Sequence, residues 1–240
     1  MELNARIENG NKFVEALKSA LILNPDEIPL IVTKNGIRSK FMDCANVAMA
    51  ELTILCPHFS EFDADCDFTI WVKAEELANM VKEYSRNSAV TICADDINLN
   101  IEFLGKIKKR FNFKCQDVAY DVRNTPTLTF DANLTIESDI LKEALKPFKK
   151  MSTGVYLECD GSIMTCVDAE NKIKTEIMLN ESVQNVRTKY HSEYIDKLIL
   201  KPKLTREIRL EVKTDYPLRV TYDFCDLKLV LIVAPMVECD

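Results

Sequence analysis

The chain repeats itself. The segment GIRSKFMDCANVAMAE, residues 36–51, aligns without a gap on GSIMTCVDAENKIKTE, residues 161–176. Gly36 falls on Gly161, Asp43 on Asp168, Asn46 on Asn171 and Glu51 on Glu176, all at one offset of 125. Upstream, EALK occurs at 15–18 and again at 143–146, an offset of 128, so a three-residue length change separates the two features. The EALK match alone carries little. On the order of a few tenths of such matches arise by chance in a chain this long, and Glu, Ala, Leu and Lys are all strong helix formers. Order, direction and a shared offset together define an internal duplication.

The coarse periodicity repeats as well. Helices are expected over 11–23, 74–86, 138–151 and 192–203. In FVEALKSALIL, Phe13, Leu17 and Ala20 share one face; in ILKEALKPFKKM, Ile140, Leu141, Ala144, Leu145 and Phe148 point inward. Ser138 before Asp139 suits an N-cap, and Pro147 predicts a kink or early end. Strands are expected at IPLIVTK, IRSKFMD and VAMAELTI, then at VYLECD, IMTCVD and IKTEIML. Asn35-Gly36 and Asp160-Gly161 read as hairpin turns. After each second helix come three more strands: AVTICAD, NLNIEF and IKKRFNFK, then EIRLEVK, LRVTYDF and LKLVLIVA. Each half therefore reads βαβββ twice, with four helices and about sixteen to eighteen strands in all. Between the halves, residues 116–131 show no helical period and contain Pro126, which marks an extended connector; Val118, Tyr120, Val122, Leu128 and Phe130 give part of it a packing role.

Length and composition set the class. At 240 residues and 27.4 kDa the chain buries a sizeable core in one large domain or two medium ones. No window approaches a membrane span, and the polar start MELNARIENG lacks the pattern of a signal peptide. An intracellular protein is expected, in the cytoplasm of a prokaryote or the nucleus of a eukaryote. Nine cysteines at irregular spacing, without CxxC, read as reduced thiols acting as small hydrophobes.

Catalytic signatures are missing. There is no GxSxG, P-loop, GxGxxG or HExxH, and the two histidines, His58 and His191, have no catalytic neighbour pattern. Asp95-Asp96 and Glu75-Glu76 fit a turn and a first helical turn better than a metal site. No enzymatic activity, cofactor or metal is expected. The charge, −7 overall, is unevenly placed: the four expected helices sum to +3 and the rest to −10. Ordinary solvated helix faces explain that split. A basic surface in loose, sequence-neutral contact with a polyanion explains it too.

Four stretches carry a family resemblance: FMDCANVAMAELTI after a glycine-centred turn, DYPLRVTY at 215–222, LIVAPMVE at 231–238, and TPTLTF in the connector. In this order the chain resembles the proliferating cell nuclear antigen family, the ring-shaped DNA sliding clamps of archaea and eukaryotes. The resemblance covers the full length. It implies an α+β DNA-clamp fold of two similar domains, each of two βαβββ units, with outer antiparallel sheets and four inner helices, closing into a ring. The domains would be an N-terminal clamp domain at 1–116, a connector at 117–129 and a C-terminal clamp domain at 130–240.

The resemblance also implies roles. Clients would dock a short aromatic-anchored peptide on Met42, Asn46, Val47, Leu128, Pro217, Ala234, Pro235 and Met236. Duplex DNA would be faced, without regard to base sequence, by Lys12, Lys18, Lys82, Arg86, Lys142, Lys146, Lys149, Lys150, Lys197 and Lys201. Three subunits would pair edge strands head to tail through Lys108, Lys109, Arg110 and Phe111 on one side and Lys174, Thr175, Glu176 and Ile177 on the other. Asp139 and Glu143 would answer the basic edge. DNA polymerase, a clamp loader and other replication and repair proteins would be the partners, with no membrane. Two other readings stay open: one subunit of a heterotrimeric replicative or checkpoint-type clamp, and an enzyme or ligand-binding protein on a duplicated α+β scaffold.

Overall fold

The computed structural model describes residues 1–95, 97–115, 127–200 and 203–236. Most of the expected connector, and with it Val118, Tyr120 and Val122, lies outside the described residues; so do Asp96, Lys201 and Cys239. The chain divides into two compact units, residues 1–124 with 223–229 and residues 125–222 with 230–240.

The first unit opens with β1 (Leu3–Ile7) and α1 (Asn11–Leu21), followed by β2 (Glu27–Thr33), β3 (Gly36–Met42) and β4 (Ala48–Leu55). A 3-10 turn at Cys56–His58 leads to β5 (Glu61–Ala64), β6 (Phe68–Lys73) and α2 (Ala74–Lys82). Then come β7 (Ala89–Ala94), β8 (Asn98–Leu104) and β9 (Lys108–Lys114). One sheet runs β5-β1-β7-β8-β9, and a second run is ordered β6-β2-β3-β4. The helices bury one stripe each, Phe13, Leu17 and Ala20 on α1 and Leu77, Met80 and Val81 on α2. Of these, Phe13, Leu17 and Leu77 meet Ile37, Leu52 and Ile54 of one sheet and Ile92 and Ile101 of the other around one core. Each such side chain contributes roughly 1.5–3 kcal/mol when fully buried. Glu75 and Glu76 occupy the first turn of α2, where acids suit the helix dipole.

The second unit holds β10 (Ala132–Glu137), α3 (Ser138–Leu145), α4 (Phe148–Met151), β11 (Gly154–Asp168), β12 (Lys174–His191) and α5 (Ser192–Ile195). A π turn at Asp196–Leu200 follows, then β13 (Glu207–Val212), β14 (Leu218–Asp223) and β15 (Leu227–Val233), whose first residues, 227–229, are counted with the first unit. The order is β10-β13-β14-β15, with β11 and β12 paired as a separate ladder. Pro147 splits the third expected helix into α3 and α4. The fourth is shortened to α5 and a π turn, in which the Tyr222 hydroxyl donates to the Leu198 carbonyl at 2.6 Å. That bond serves one of the carbonyls the change of helical pitch releases.

Three local expectations need correction. Ser138 is the first helical residue and not the cap; Glu137 holds that place, and no side chain caps the helix. Ile140 is 49% exposed, because the buried stripe runs through Ser138, Leu141 and Leu145 and Ile140 lies about 100° around the helix from Leu141. Asp160-Gly161 does not separate two strands: β11 runs through it, with shifts of register on both sides of Gly161. That merging, with the same in β12, brings the strands among the described residues to fifteen.

The duplication is written in the hydrogen-bond register. In β3–β4, Arg38 pairs with Thr53, Lys40 with Glu51 and Met42 with Met49. In β11–β12, Ile163 pairs with Met178, Thr165 with Glu176 and Val167 with Lys174, each partner 125 residues on. The outer parts match too: Glu27–Val32 pair with Phe68–Lys73 in the first unit as Gly154–Cys159 pair with Val186–His191 in the second.

The two repeat-related glycines differ in what they tolerate. Gly36 has φ +133°, and a Cβ there would meet the Ile54 carbonyl oxygen at 2.1 Å. Gly161 has φ +59°, and the nearest atom to its Cβ would be Ser182 Oγ at 3.9 Å. Gly36→Ala is expected to cost more than about 2 kcal/mol, since strain and a backbone clash add, and Gly161→Ala about 1 kcal/mol. Urea denaturation midpoints of the two variants check the order.

Candidate functional site

The Asp and Asn shared by the two repeats close a loop. The Asp43 carboxylate is buried and its Oδ1 accepts from the backbone N–H groups of Val47 at 2.8 Å and Ala48 at 2.9 Å. Asn46 N donates to the Asp43 carbonyl at 3.0 Å, and Asn46 takes the left-handed conformation, φ 56°. The second repeat copies this: Asp168 accepts from Ile173 N at 2.6 Å, Asn171 N donates to the Asp168 carbonyl at 3.0 Å, and Asn171 has φ 54°. Asn tolerates that conformation better than most residues with a side chain. The backbone hydrogen bond from Ile173 leads in holding the Asp168 carboxyl below the ordinary range.

What the loop presents differs between copies. Met42 and Val47 are half-buried apolar residues beside exposed Cys44, Ala45 and Asn46. Their repeat partners are Val167, which is buried, and Lys172, which is exposed. At these two positions the first loop offers apolar side chains and the second does not.

The remaining expected docking residues belong to the second unit. Leu128, Pro217, Ala234, Pro235 and Met236 are all half-buried. Met236 N donates to the Lys189 carbonyl at 2.7 Å, which ties the segment after β15 to β12. Around Pro217 the structure adds groups that motif reading passed over. Tyr190 donates its hydroxyl to the Tyr216 carbonyl at 2.8 Å, and burial raises its pKa. Phe130 meets Tyr216 edge-on at 5.8 Å, and the Arg219 guanidinium lies 4.6 Å from the Phe130 ring. Arg219 also pairs with the buried Glu211 at 3.3 Å. The signal for this cluster was the Tyr before Pro217 in DYPLRVTY and the apolar residue ending the connector.

The expected DNA-facing cations sit on the helical segments or beside them: α2 ends at Lys82, short of the expected 86, which leaves Arg86 in the turn before β7, and Lys146 lies in the turn between α3 and α4. Lys12, Lys18, Lys82, Arg86, Lys146, Lys149 and Lys150 are exposed, and Lys142 and Lys197 are half-buried. Lys12 lies 5.1 Å from the Phe224 ring, Lys18 pairs with Glu15 at 3.8 Å, Lys197 with Glu193 at 2.7 Å and Lys149 with Asp196 at 2.8 Å. Burial lowers the Lys142 pKa.

The expected interface strands are sheet edges. β9 is the outer strand of its sheet, and β12 pairs only with β11 among the described residues. The charge on β9 is answered within the unit. Lys108 pairs with Glu102 at 2.7 Å, Arg110 with the same Glu102, and Lys109 with Glu83 at 2.9 Å. Within the unit the basic edge is thus paired with Glu102 and Glu83.

Among the described residues no group of three or more His, Cys, Asp or Glu is placed to hold a metal. Among them, too, no helix is long and apolar enough to cross a membrane. Asp95 closes the β7–β8 turn by accepting from Ile97 N and Asn98 N. Cys159 and Cys166 are buried thiols, with burial pushing their pKa values up to about 11 and about 12, whereas Cys44 and Cys225 are exposed.

Comparison with known proteins places this geometry. Residues 3–124 match the family model for the proliferating cell nuclear antigen N-terminal domain. The DNA polymerase sliding clamp of Methanopyrus kandleri is 25% identical over 228 residues, 89% of this chain and 90% of that protein. That of Pyrococcus abyssi is 24% identical over 242 residues, covering 96% and 97%. The proliferating cellular nuclear antigen of Entamoeba histolytica shares the fold at TM-score 0.88 and 17% identity, covering 98% of this chain and 99% of that one. The A. fulgidus protein, solved with the C-terminal region of FEN-1 bound, does so at TM-score 0.87 and 19% identity, over 99% and 100%.

Two measurements test the loops. Asp43→Ala strands two backbone donors and is expected to cost about 1–3 kcal/mol, read as a lower denaturation midpoint. A carboxylate lowered in the folded state stabilises fully above its unfolded value, ordinarily 3.8, and that contribution is lost as pH falls through the lowered folded value. Urea midpoints between about pH 6 and pH 3 should therefore fall more steeply for the wild type than for Asp168→Asn.

Proposed function

The chain belongs to the proliferating cell nuclear antigen family, and we propose from that membership and its own geometry that it is a DNA sliding clamp. It encircles duplex DNA as a ring and tethers DNA polymerase and other replication and repair proteins. Its action is that of a non-enzymatic scaffold. A ring holds DNA by topology, so it stays bound while free to slide.

One observation carries the ring. In the first unit, residues 223–229 bring the start of β15 beside β4, and Leu55 N donates to the Asp226 carbonyl at 2.8 Å. Shifted by the 125-residue repeat, β4 becomes the first part of β12, whose far side has no strand among the described residues. β15 closes β13-β14-β15 as β9 closes β7-β8-β9, and β9 also has an open side. A pairing made once inside the chain is thus left half-made at two other edges. A second copy supplies the missing strand to each, head to tail, and such heterologous contacts close into rings. Lys108–Phe111 meets Lys174–Ile177 at that junction. Three copies complete the ring, with domains 1–116 and 130–240 joined by a connector at 117–129.

The basic side chains on and beside the helical segments, Lys12, Lys18, Lys82, Arg86, Lys142, Lys146, Lys149, Lys150 and Lys197, face the duplex. Clients dock on Met42, Asn46 and Val47 with Leu128, Pro217, Ala234, Pro235 and Met236. A short helical turn places its aromatic anchors there, and the apolar character of the first loop, lost in its repeat partner, favours this surface over the second.

Light scattering at micromolar protein should give a mass near three times the 27.4 kDa of one chain. Protein loaded on a circular duplex should then be retained and should leave once the circle is cut. A mass near that of a single chain would sink the self-closing ring.

A further inference from the structure

The edge that the chain closes on itself carries a register, and the repeat translates that register to the two edges left open. Leu55 N donates to the Asp226 carbonyl at 2.8 Å. That bond sets Thr53 opposite Lys228, and the buried Ile54 opposite the buried Leu227. On one side, β4 falls on the first part of β12 at the offset of 125, so Met178 stands for Thr53. On the other, Ile92–Ile101 and Leu210–Val220 are the middle buried pairs of matching ladders, so Leu104 corresponds to Asp223. Leu104 pairs with Lys108. The bond from Phe224 N to the Leu227 carbonyl, 2.9 Å, sets Asp223 opposite Lys228. Lys108 therefore stands for Lys228, and Ile107 for Leu227. Carried over, the closed edge places Lys108 opposite Met178, Arg110 opposite Glu176 and Asn112 opposite Lys174. The faces agree. Lys109 donates to the Glu83 carbonyl at the end of α2, and Thr175 to the Ala144 carbonyl of α3, so both strands turn their odd-numbered residues toward the helices.

Charge selects the same register independently of the repeat. A slip of one residue sets the inward side chains of one strand against the outward ones of the other. A slip of two sets Arg110 opposite Lys174 in one direction and Lys114 opposite Lys174 in the other, and like charges directly opposed destabilise a ladder. In the translated register Arg110 meets Glu176. Arg110 keeps 59% of its side-chain surface exposed beside Glu102, which leaves room for a second acid. Glu176 is exposed as well, paired with Lys174 at 2.6 Å. Ile107 is 70% exposed where its counterpart Leu227 is fully buried, and Leu179 across the junction would cover it as Ile54 covers Leu227.

We infer that the occupant of each open edge is a second copy of this chain, seated in this one register with Arg110 opposite Glu176 of the partner subunit. The inference rests on the ring proposed above and sharpens it. The chain carries both halves of a single matched junction, so the ring closes with copies of itself and needs no sister subunit of different sequence.

The test is disulfide cross-linking of the purified full chain under mild oxidation, read on non-reducing denaturing gels beside its mass by light scattering. The wild type, with its nine native cysteines, and the single variants set the baseline. Directly opposed Cα atoms in an antiparallel ladder lie about 4.5–5.5 Å apart, within reach of a disulfide, and diagonal neighbours lie about 7–8 Å apart, beyond it. Asn112→Cys combined with Lys174→Cys should therefore give cross-linked dimers and trimers above the baseline. The slipped combinations, Arg110→Cys with Lys174→Cys and Asn112→Cys with Glu176→Cys, should stay at it. Lys108→Cys with Met178→Cys reads the same register and decides if the first combination does not fold. A slipped combination that links better than the opposed one overturns the inference. So does a mass near three chains with neither opposed combination linking. A wild-type mass near that of one chain overturns the ring itself, and this inference with it, so the two failures are told apart.

Discussion

A strand at the edge of a sheet leaves a row of backbone donors and acceptors without partners, and that row must be covered, charged or matched. This chain meets the requirement in a different way at each edge. β4 is matched by the start of β15. β5, the other outer strand of the five-stranded sheet, carries exposed Glu61 and Asp63, which discourage pairing. β9 carries Lys108 and Arg110, but their charge is turned onto Glu102 of the neighbouring strand. An edge whose charges are satisfied from behind is not repelled by an incoming strand. The ring proposal follows from that contrast: of the two outer strands of one sheet, only one is prepared for company.

Duplication supplies the template and divergence supplies the function. The Asp–Asn loop keeps its hydrogen bonds in both copies, because a buried carboxylate that accepts two backbone donors is the cheapest way to close five residues between paired strands. Side chains that take no part in closure are free to change. Met42 and Val47 in one copy stand where Val167 and Lys172 stand in the other. The same backbone is thus an apolar shelf in the first unit and a solvated turn in the second, and a client that needs an aromatic anchor can tell them apart.

Much of the fold was legible because it is written in periods and offsets. The 125-residue offset noticed in four residue identities reappears as the offset of whole ladders of paired residues. Strand positions at β2–β4, β7–β9 and β13–β15 follow the alternation of apolar residues, whereas the short β5, EFDA, was not among the expected strands. What periodicity could not show was pitch and continuity. A helical pattern over 192–203 cannot reveal that Tyr222, arriving from β14, supplies a partner to Leu198 and so accommodates a π turn. Nor can Asp160-Gly161 reveal that β12 pairs with residues on both sides of it. Among site residues, motif matching found Pro217 but not its aromatic and cationic surroundings, Phe130, Tyr216 and Arg219. The residues left a local signal, but the contacts join Phe130 to Tyr216 and Arg219 across a long stretch of chain, and the sequence does not show which residue meets which. The same is true of the acids that answer β9: Glu83 and Glu102 are separated from it by a helix end and a strand register.

Charge placement gives the last constraint. A net charge of −7 is poorly suited to a protein that must hold DNA by attraction. It is well suited to one that holds DNA by enclosure. Enclosure removes the need for many strong phosphate contacts and makes them a hindrance to movement, and in the proposed ring an acidic remainder would discourage the duplex from resting anywhere but against the basic helical segments.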